Sequence, residues 1–133
     1  VTSAGMYTFP AIEWDDYLVN PSGYDVAVAC PANPVSVDPG LATTQNVLLA
    51  AGTSDSLRVV VESALGVPIT DATVTLRRSG FSQTGDSRNC GQVFFAGLAP
   101  AIDYEVEVSA PGYTTKTIVD VKVQNDSTSV VQF

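Results

Sequence analysis

From Leu57 onward the chain is a succession of short β-branched runs: SLRVVVES, GVPITDATVTLRR, GQVFFAGL, DYEVEVSAPGY, TTKTIVDVKV and STSVVQF. Each is bounded by Gly, Pro, Asp or Ser, the pattern of strands separated by turns. Within them the polar and apolar positions alternate. Ala72, Val74 and Leu76 fall on one side of a pleat and Thr73, Thr75 and Arg77 on the other. Tyr104, Val106 and Val108 likewise oppose Asp103, Glu105 and Glu107. A period of two is the mark of a half-buried strand, and no segment carries a helical period. The pattern predicts an all-β, antiparallel sandwich. Leu57, Val59, Val61, Val74, Leu76, Phe95, Leu98, Tyr104, Val106 and Val108 are expected to line one core.

Turn chemistry agrees. Leu65-Gly-Val-Pro68 joins the first two runs, with glycine opening the backbone and proline fixing φ. Pro111-Gly112 turns the chain after Val108. The stretch from Ser79 to Asn89, rich in Ser, Gly, Asp and Asn, reads as the longest loop. Loops at the ends of sandwiches carry recognition, so Gly85, Asp86, Ser87, Arg88 and Asn89 form the candidate recognition loop.

The same residues carry a resemblance. The order is L-x-V-x-V from Leu57, G-V-P-I-x-x-A-x-V-x-L from Gly66, G-x-x-x-F-x-x-L from Gly91 and Y-x-V-x-V-x-A-x-G-Y from Tyr104. It resembles a carboxypeptidase regulatory-like domain. The resemblance implies a seven-stranded, transthyretin-like (prealbumin-like) Greek-key sandwich over residues 57–133. Its motif is a framework of core and turn positions, specific for fold and weak for function. The wording around GQVFF most resembles copies in secreted bacterial surface proteins and prepilin-like proteins. That implies a non-catalytic structural or adhesive module of an exported cell-surface, pilus or filament protein. The alternative is an accessory domain of a secreted enzyme such as a carboxypeptidase.

Residues 1–50 match parts of the second half. Gly5 meets Gly91, Phe9 meets Phe95 and Ile12 meets Leu98. After small shifts Tyr17 meets Tyr104, and Gly23-Tyr24 meets Gly112-Tyr113. The alignment makes residues 1–50 a partial transthyretin-like repeat without counterparts of the first two strands. Residues 51–56, small and polar, read as the linker. An incomplete repeat exposes strand edges, so either a protein partner or identical subunits complete it through those edges, or the first half is a compact domain resting on the second. Val1 is not an initiating Met and no signal peptide follows it, so it reads as a processed or excised start.

The net charge of −8 argues against nucleic acid and against anionic membrane surfaces, both of which attract cation clusters. No apolar run approaches the roughly 20 residues of a membrane span, so no membrane insertion is expected. Cys30 and Cys90 are the two cysteines, and histidine is absent. Two sulfurs do not complete a four-ligand zinc shell, and their spacing is not that of a Cys-x-x-Cys redox pair. Two buried thiols and a disulfide both stay open on the residues alone. The disulfide fits an exported, acidic, β-rich chain and points to an extracellular or cell-surface location.

Candidate chemistry is sparse. Without histidine there is no His-based triad, and no serine sits in a G-x-S-x-G elbow. Asp15 and Asp16 are adjacent, so on a strand they face opposite ways and do not flank one bond. No enzyme activity and no cofactor are expected. Trp14, Tyr17 and Tyr24 read either as a sugar-stacking platform, which keeps a glycan possible, or as core of the partial repeat, the preferred reading for Trp14 and Tyr17. Asp86, Ser87 and Asn89 offer oxygen ligands for calcium, with one carboxylate among them. Asn125-Asp-Ser127 matches a glycosylation sequon. The first strand of the complete repeat offers Arg58 rather than a lysine, so no Lys–Asn isopeptide cross-link is expected.

Overall fold

The computed structural model describes residues 5–124 and 127–133, with the backbone alone for 127–132. The alternating runs become seven strands: β5 (Asp55–Val60), β6 (Thr73–Arg78), β7 (Phe81–Asp86), β8 (Gln92–Ala96), β9 (Ala101–Ser109), β10 (Lys116–Val123) and β11 (Ser127–Gln132). Ahead of them lie β1 (Asp15–Tyr17), β2 (Tyr24–Cys30), β3 (Val35–Val37) and β4 (Asn46–Ala51). Apart from a 3-10 turn at Asn89–Gly91, no helix occurs among the described residues, and none is long and apolar enough to cross a membrane.

Two sheets face each other in the second half, one ordered β10-β9-β6-β7 and the other β11-β5-β8. Register decides which side chains meet. Leu57 and Val59 of β5 sit opposite Phe95 and Val93 of β8, and Val74 and Leu76 of β6 oppose Val108 and Val106 of β9. Because the pleat alternates, these residues share the inner faces. All ten expected core residues are buried in one cluster, joined by Ala72, Val93, Val121 and Val123. Tyr104 brings a polar handle into this core. Its Oη donates to the Ala99 carbonyl five residues upstream at 2.9 Å, as in a tyrosine corner.

The expected antiparallel pattern holds at every pairing in the two sheets but one. β11 runs parallel to β5, with Ser129 beside Leu57. β10 belongs to the other sheet, and the chain re-enters at Ser127 beside Asp55, where β5 itself begins. From that starting point it runs in the direction of β5. The loop expected from Ser79 to Asn89 is also corrected. Gly80, at φ +74°, makes a tight turn, and Phe81–Asp86 then returns as β7 along β6, in register from Arg78–Phe81 to Thr73–Asp86. Its polar side chains are allowed because β7 is an edge with little to bury.

The first half forms two pairs, β1 with β3 and β2 with β4. β2 covers the outer side of the β11-β5-β8 sheet. Ser56, Arg58 and Gln92 alternate with the core residues and so face away from the core, yet they are 0%, 5% and 5% exposed. The chain is therefore layered three deep there. The connection is shorter than the expected 51–56 linker. Ala51 closes β4, and Asp55 and Ser56 are already buried in β5. The residues matched across the two halves do not share an environment. Phe95 is 1% exposed and its match Phe9 is 68% exposed, in a segment outside any strand. Trp14, expected in the core, is 71% exposed, because Asp15–Tyr17 is a three-residue strand with only β3 beside it.

Candidate functional site

The most constructed feature of the molecule is the seam where β2 docks on β5 and β8. Cys30, at the end of β2, is bonded to Cys90 in the 3-10 turn, with their Cα atoms 5.8 Å apart. That turn is shaped by backbone conformation. Cys90 and Gly91 take φ +58° and +65°, and a Cβ on Gly91 would lie 2.3 Å from the Val61 carbonyl oxygen. Only glycine fits there. The Gly91 carbonyl accepts from the Val61 N–H at 2.8 Å, which ties the turn to the end of β5.

One residue later, Gln92 turns its side chain toward β2. Its Nε2 donates to the Ala29 carbonyl at 2.8 Å and its Oε1 accepts from the Ala29 N–H at 3.0 Å. Arg58, next along the same face, donates from Nη1 to the Val26 carbonyl at 3.2 Å. Burial holds the Arg58 guanidinium below its ordinary pKa, and its Nε has no hydrogen-bond partner among the described residues. The far end of β2 is tied through Asp25. Its Oδ2 accepts from the Thr53 N–H and hydroxyl at 3.2 and 3.1 Å, which fixes the passage from β4 into β5. Leu98 N–H then donates to the Asp55 carbonyl at 3.1 Å. The seam therefore has a covalent bond at one end and a carboxylate clasp at the other.

The structure separates the residues expected to form a recognition loop. Gly85 and Asp86 lie on β7, Arg88 and Asn89 are exposed around the 3-10 turn, and Ser87 is fully buried. Ser87 Oγ accepts from the Ala72 N–H at 2.9 Å and donates to the Ile69 carbonyl at 2.8 Å. Its hydroxyl is fully used in closing the sandwich, so the calcium trio Asp86, Ser87 and Asn89 does not converge. Asp86 instead accepts from the Thr73 hydroxyl at 3.1 Å. No cluster of three or more His, Cys, Asp or Glu side chains suited to a metal occurs among the described residues. Tyr24 and Trp14 are both exposed, and Tyr17 is half-buried with its hydroxyl on the Glu13 carbonyl. The sequon residues Asn125 and Asp126 lie outside the described residues.

Sequence reasoning found the disulfide but missed Gln92 and Arg58. Both stand at out-facing positions of the alternation, where a polar residue reads as solvated. The one available signal was Arg58 itself, an arginine inside the apolar run from Leu57 to Val61.

The model of the carboxypeptidase regulatory-like domain matches residues 56–133, the span from β5 to the end of β11. No curated protein matches the sequence. Among solved structures, the Bacillus anthracis TIE protein is similar with a TM-score of 0.49 and 20% identity. The similarity covers 68% of this chain and 18% of that one. With the expected framework present from Leu57 to Tyr113 and the seven strands in place, the chain belongs to the carboxypeptidase regulatory-like domain family.

Proposed function

We propose that this protein is a non-catalytic structural or adhesive module of an exported protein, working outside the cell at its surface or in a pilus-like filament. The observation that carries the reading is the Cys30–Cys90 bond, which staples the first half to the sandwich across 60 residues. Disulfides persist in oxidising compartments, and here the bond adds durability to a part whose work is to space and present other surfaces. Strand edges of the first half are the contact points for a protein partner or identical subunits. The exposed Trp14 and Tyr24 keep a glycan among the ligands to be tried.

The test uses the native parent protein on intact cells. Antibody against residues 56–133 should label unpermeabilised cells or shed filaments, and non-reducing peptide mapping should recover the Cys30–Cys90 pair. Labelling confined to the cytosol, with both thiols free, would end the reading. The family's description also supports an accessory domain of a secreted enzyme. An adjoining zinc peptidase domain in the parent reading frame would select that second reading, and a prepilin leader or sorting signal the first.

A further inference from the structure

Open sheet edges are templates for another strand, and proteins blunt them with charge, proline or irregular register. β10 is blunted by Lys116, Asp120 and Lys122 and by two register shifts against β9. β7 has no apolar residue after Phe81 and ends on Asp86. β4 carries no charge and no proline, and the one register shift in its pairing lies on β2, between Val26 and Val28. Its sequence is Asn-Val-Leu-Leu-Ala-Ala, with Val47 and Leu48 38% and 43% exposed.

The backbone on the outer side of β4 can be assigned group by group. Ala29 of β2 uses both its N–H and its C=O on Gln92, on the side away from β4. In an antiparallel ladder, directly facing residues exchange both bonds or neither. Val47 faces Ala29, so it also turns its N–H and C=O away from β2. Val26 gives its carbonyl to Arg58 and faces Leu49, which puts the groups of Leu49 on the same outer side. β4 pairs with β2 alone among the described strands, so these groups meet no other strand there.

Charge selects the occupant. Residues 1–57 hold Glu13, Asp15, Asp16, Asp25, Asp38 and Asp55 and no lysine or arginine, because all six cations lie at Arg58 or beyond. A second copy pairing edge to edge would bring together two segments that each carry only negative side chains. Like charges across an interface suppress association, and opposite ones speed and orient it. We infer that the outer edge of β4 accepts an extended strand of another polypeptide, apolar at alternate positions and flanked by lysine or arginine. The mode is β-augmentation, in which backbone bonds supply affinity and side chains supply selection. This deepens the strand-edge contact proposed above and rests on it.

The experiment uses the full chain with ¹⁵N-labelled amides and a blocked peptide, Lys-Val-Thr-Val-Thr-Val-Lys. Amide exchange at Val47 and Leu49 should slow at least about tenfold on saturation, as expected for newly bonded groups. Affinity should fall as salt is raised, because the attraction is screened. Glutamate-flanked and alternately N-methylated versions of the peptide should give no protection. Val47→Pro removes one outward N–H where an edge strand tolerates proline, and should weaken binding about tenfold. The inference fails if the lysine peptide leaves Val47 and Leu49 unprotected in a protein with the native spectrum. It fails equally if the glutamate or N-methylated peptide protects them as well. Protection that grows with protein concentration alone would assign the edge to a second copy and overturn the cationic partner. Surface labelling of intact cells is independent of all these outcomes, so the structural-module reading stands or falls separately.

Discussion

Gln92 and Ala29 are joined as if the glutamine side chain were one more rung of a β-ladder. The amide nitrogen donates to the Ala29 carbonyl and the amide oxygen accepts from the Ala29 N–H, at 2.8 and 3.0 Å. Ala29 is 0% exposed, so its backbone groups have no water to turn to. Orphaning a buried polar group costs about 1–3 kcal/mol. Gln92→Ala orphans two, and should destabilise by about 2–4 kcal/mol on the same scale. Urea unfolding measures the loss, and exchange at the Ala29 amide should accelerate. Gln92→Glu gives up the donor and buries a charge, so at neutral pH it should be no milder than the alanine. A loss within experimental error for both would show that β2 is not held by this side chain.

Phe95 is 1% exposed in the core, and it faces Leu57 across the β5–β8 pair. Removing it forfeits burial and leaves a cavity that the surrounding strands fill only in part. Phe95→Ala should therefore cost about 3–5 kcal/mol in chemical unfolding. A loss under about 1 kcal/mol would mean that the register of β8 is wrong, since a one-residue slip turns Phe95 outward.

The core was legible because its rule is local. Val74 and Leu76 on β6, and Val106 and Val108 on β9, announce their faces by period alone. The parallel entry of β11 was not legible, since direction depends on which sheet β10 joins and not on the composition of Ser127–Gln132. β7 was hidden for a related reason. Phe-Ser-Gln-Thr-Gly-Asp has the composition of a loop, and β6 makes it a strand by offering a free ladder. The seam was the hardest to see. Ser56, Arg58 and Gln92 occupy positions that face solvent in a two-layer sandwich, and the third layer that covers them comes from the other half of the chain. Trp14 misled in the opposite sense. A large aromatic suggests a core, but a three-residue strand has none to offer it.

Ser87 was expected in a recognition loop and is instead a buried joint. Its hydroxyl bridges the Ala72 N–H and the Ile69 carbonyl, and its own N–H and C=O bond Ala72 and Asp71. Ser87→Ala removes both side-chain bonds and leaves the Ala72 N–H short of its side-chain acceptor. A loss of about 1–3 kcal/mol should follow. Asn89→Ala, at an exposed position of the neighbouring turn, should stay within about 0.5 kcal/mol of the parent. Equal effects from the two substitutions would contradict this division.

Gly91 carries a sharper constraint. At φ +65° an L side chain is strained, and the Val61 carbonyl oxygen stands 2.3 Å from where a Cβ would be. Neither the Val61 backbone nor the turn can yield without breaking the bond between the Val61 N–H and the Gly91 carbonyl. Gly91→Ala should therefore destabilise by well over the ~1 kcal/mol of a simple conformational penalty. Gly97→Ala is the control. It has a similar φ of +65° and open space around its Cβ, so it should show the conformational penalty without the clash.

Reduction should separate the two halves without melting the sandwich. Cys30 and Cys90 close a loop of 60 residues, for which chain entropy sets a ceiling of about 4 kcal/mol. The bond does not pass through the core cluster, which is built from residues of the second half alone. Beneath β2 the uncovered face would present Ser56, Arg58 and Gln92, polar groups that water can solvate once the cover lifts. Arg58 gains most, because its guanidinium is now desolvated by burial. Cys30→Ser with Cys90→Ser, or the parent under reductant, should keep the near-ultraviolet signal of the packed Tyr104 and a cooperative unfolding transition. Exchange at Ala29 should rise, and protease should cut first in the connection at residues 52–54. If the tertiary signal and the protection of Ala29 disappear together on reduction, the first half is an integral part of the sandwich and not a layer docked upon it.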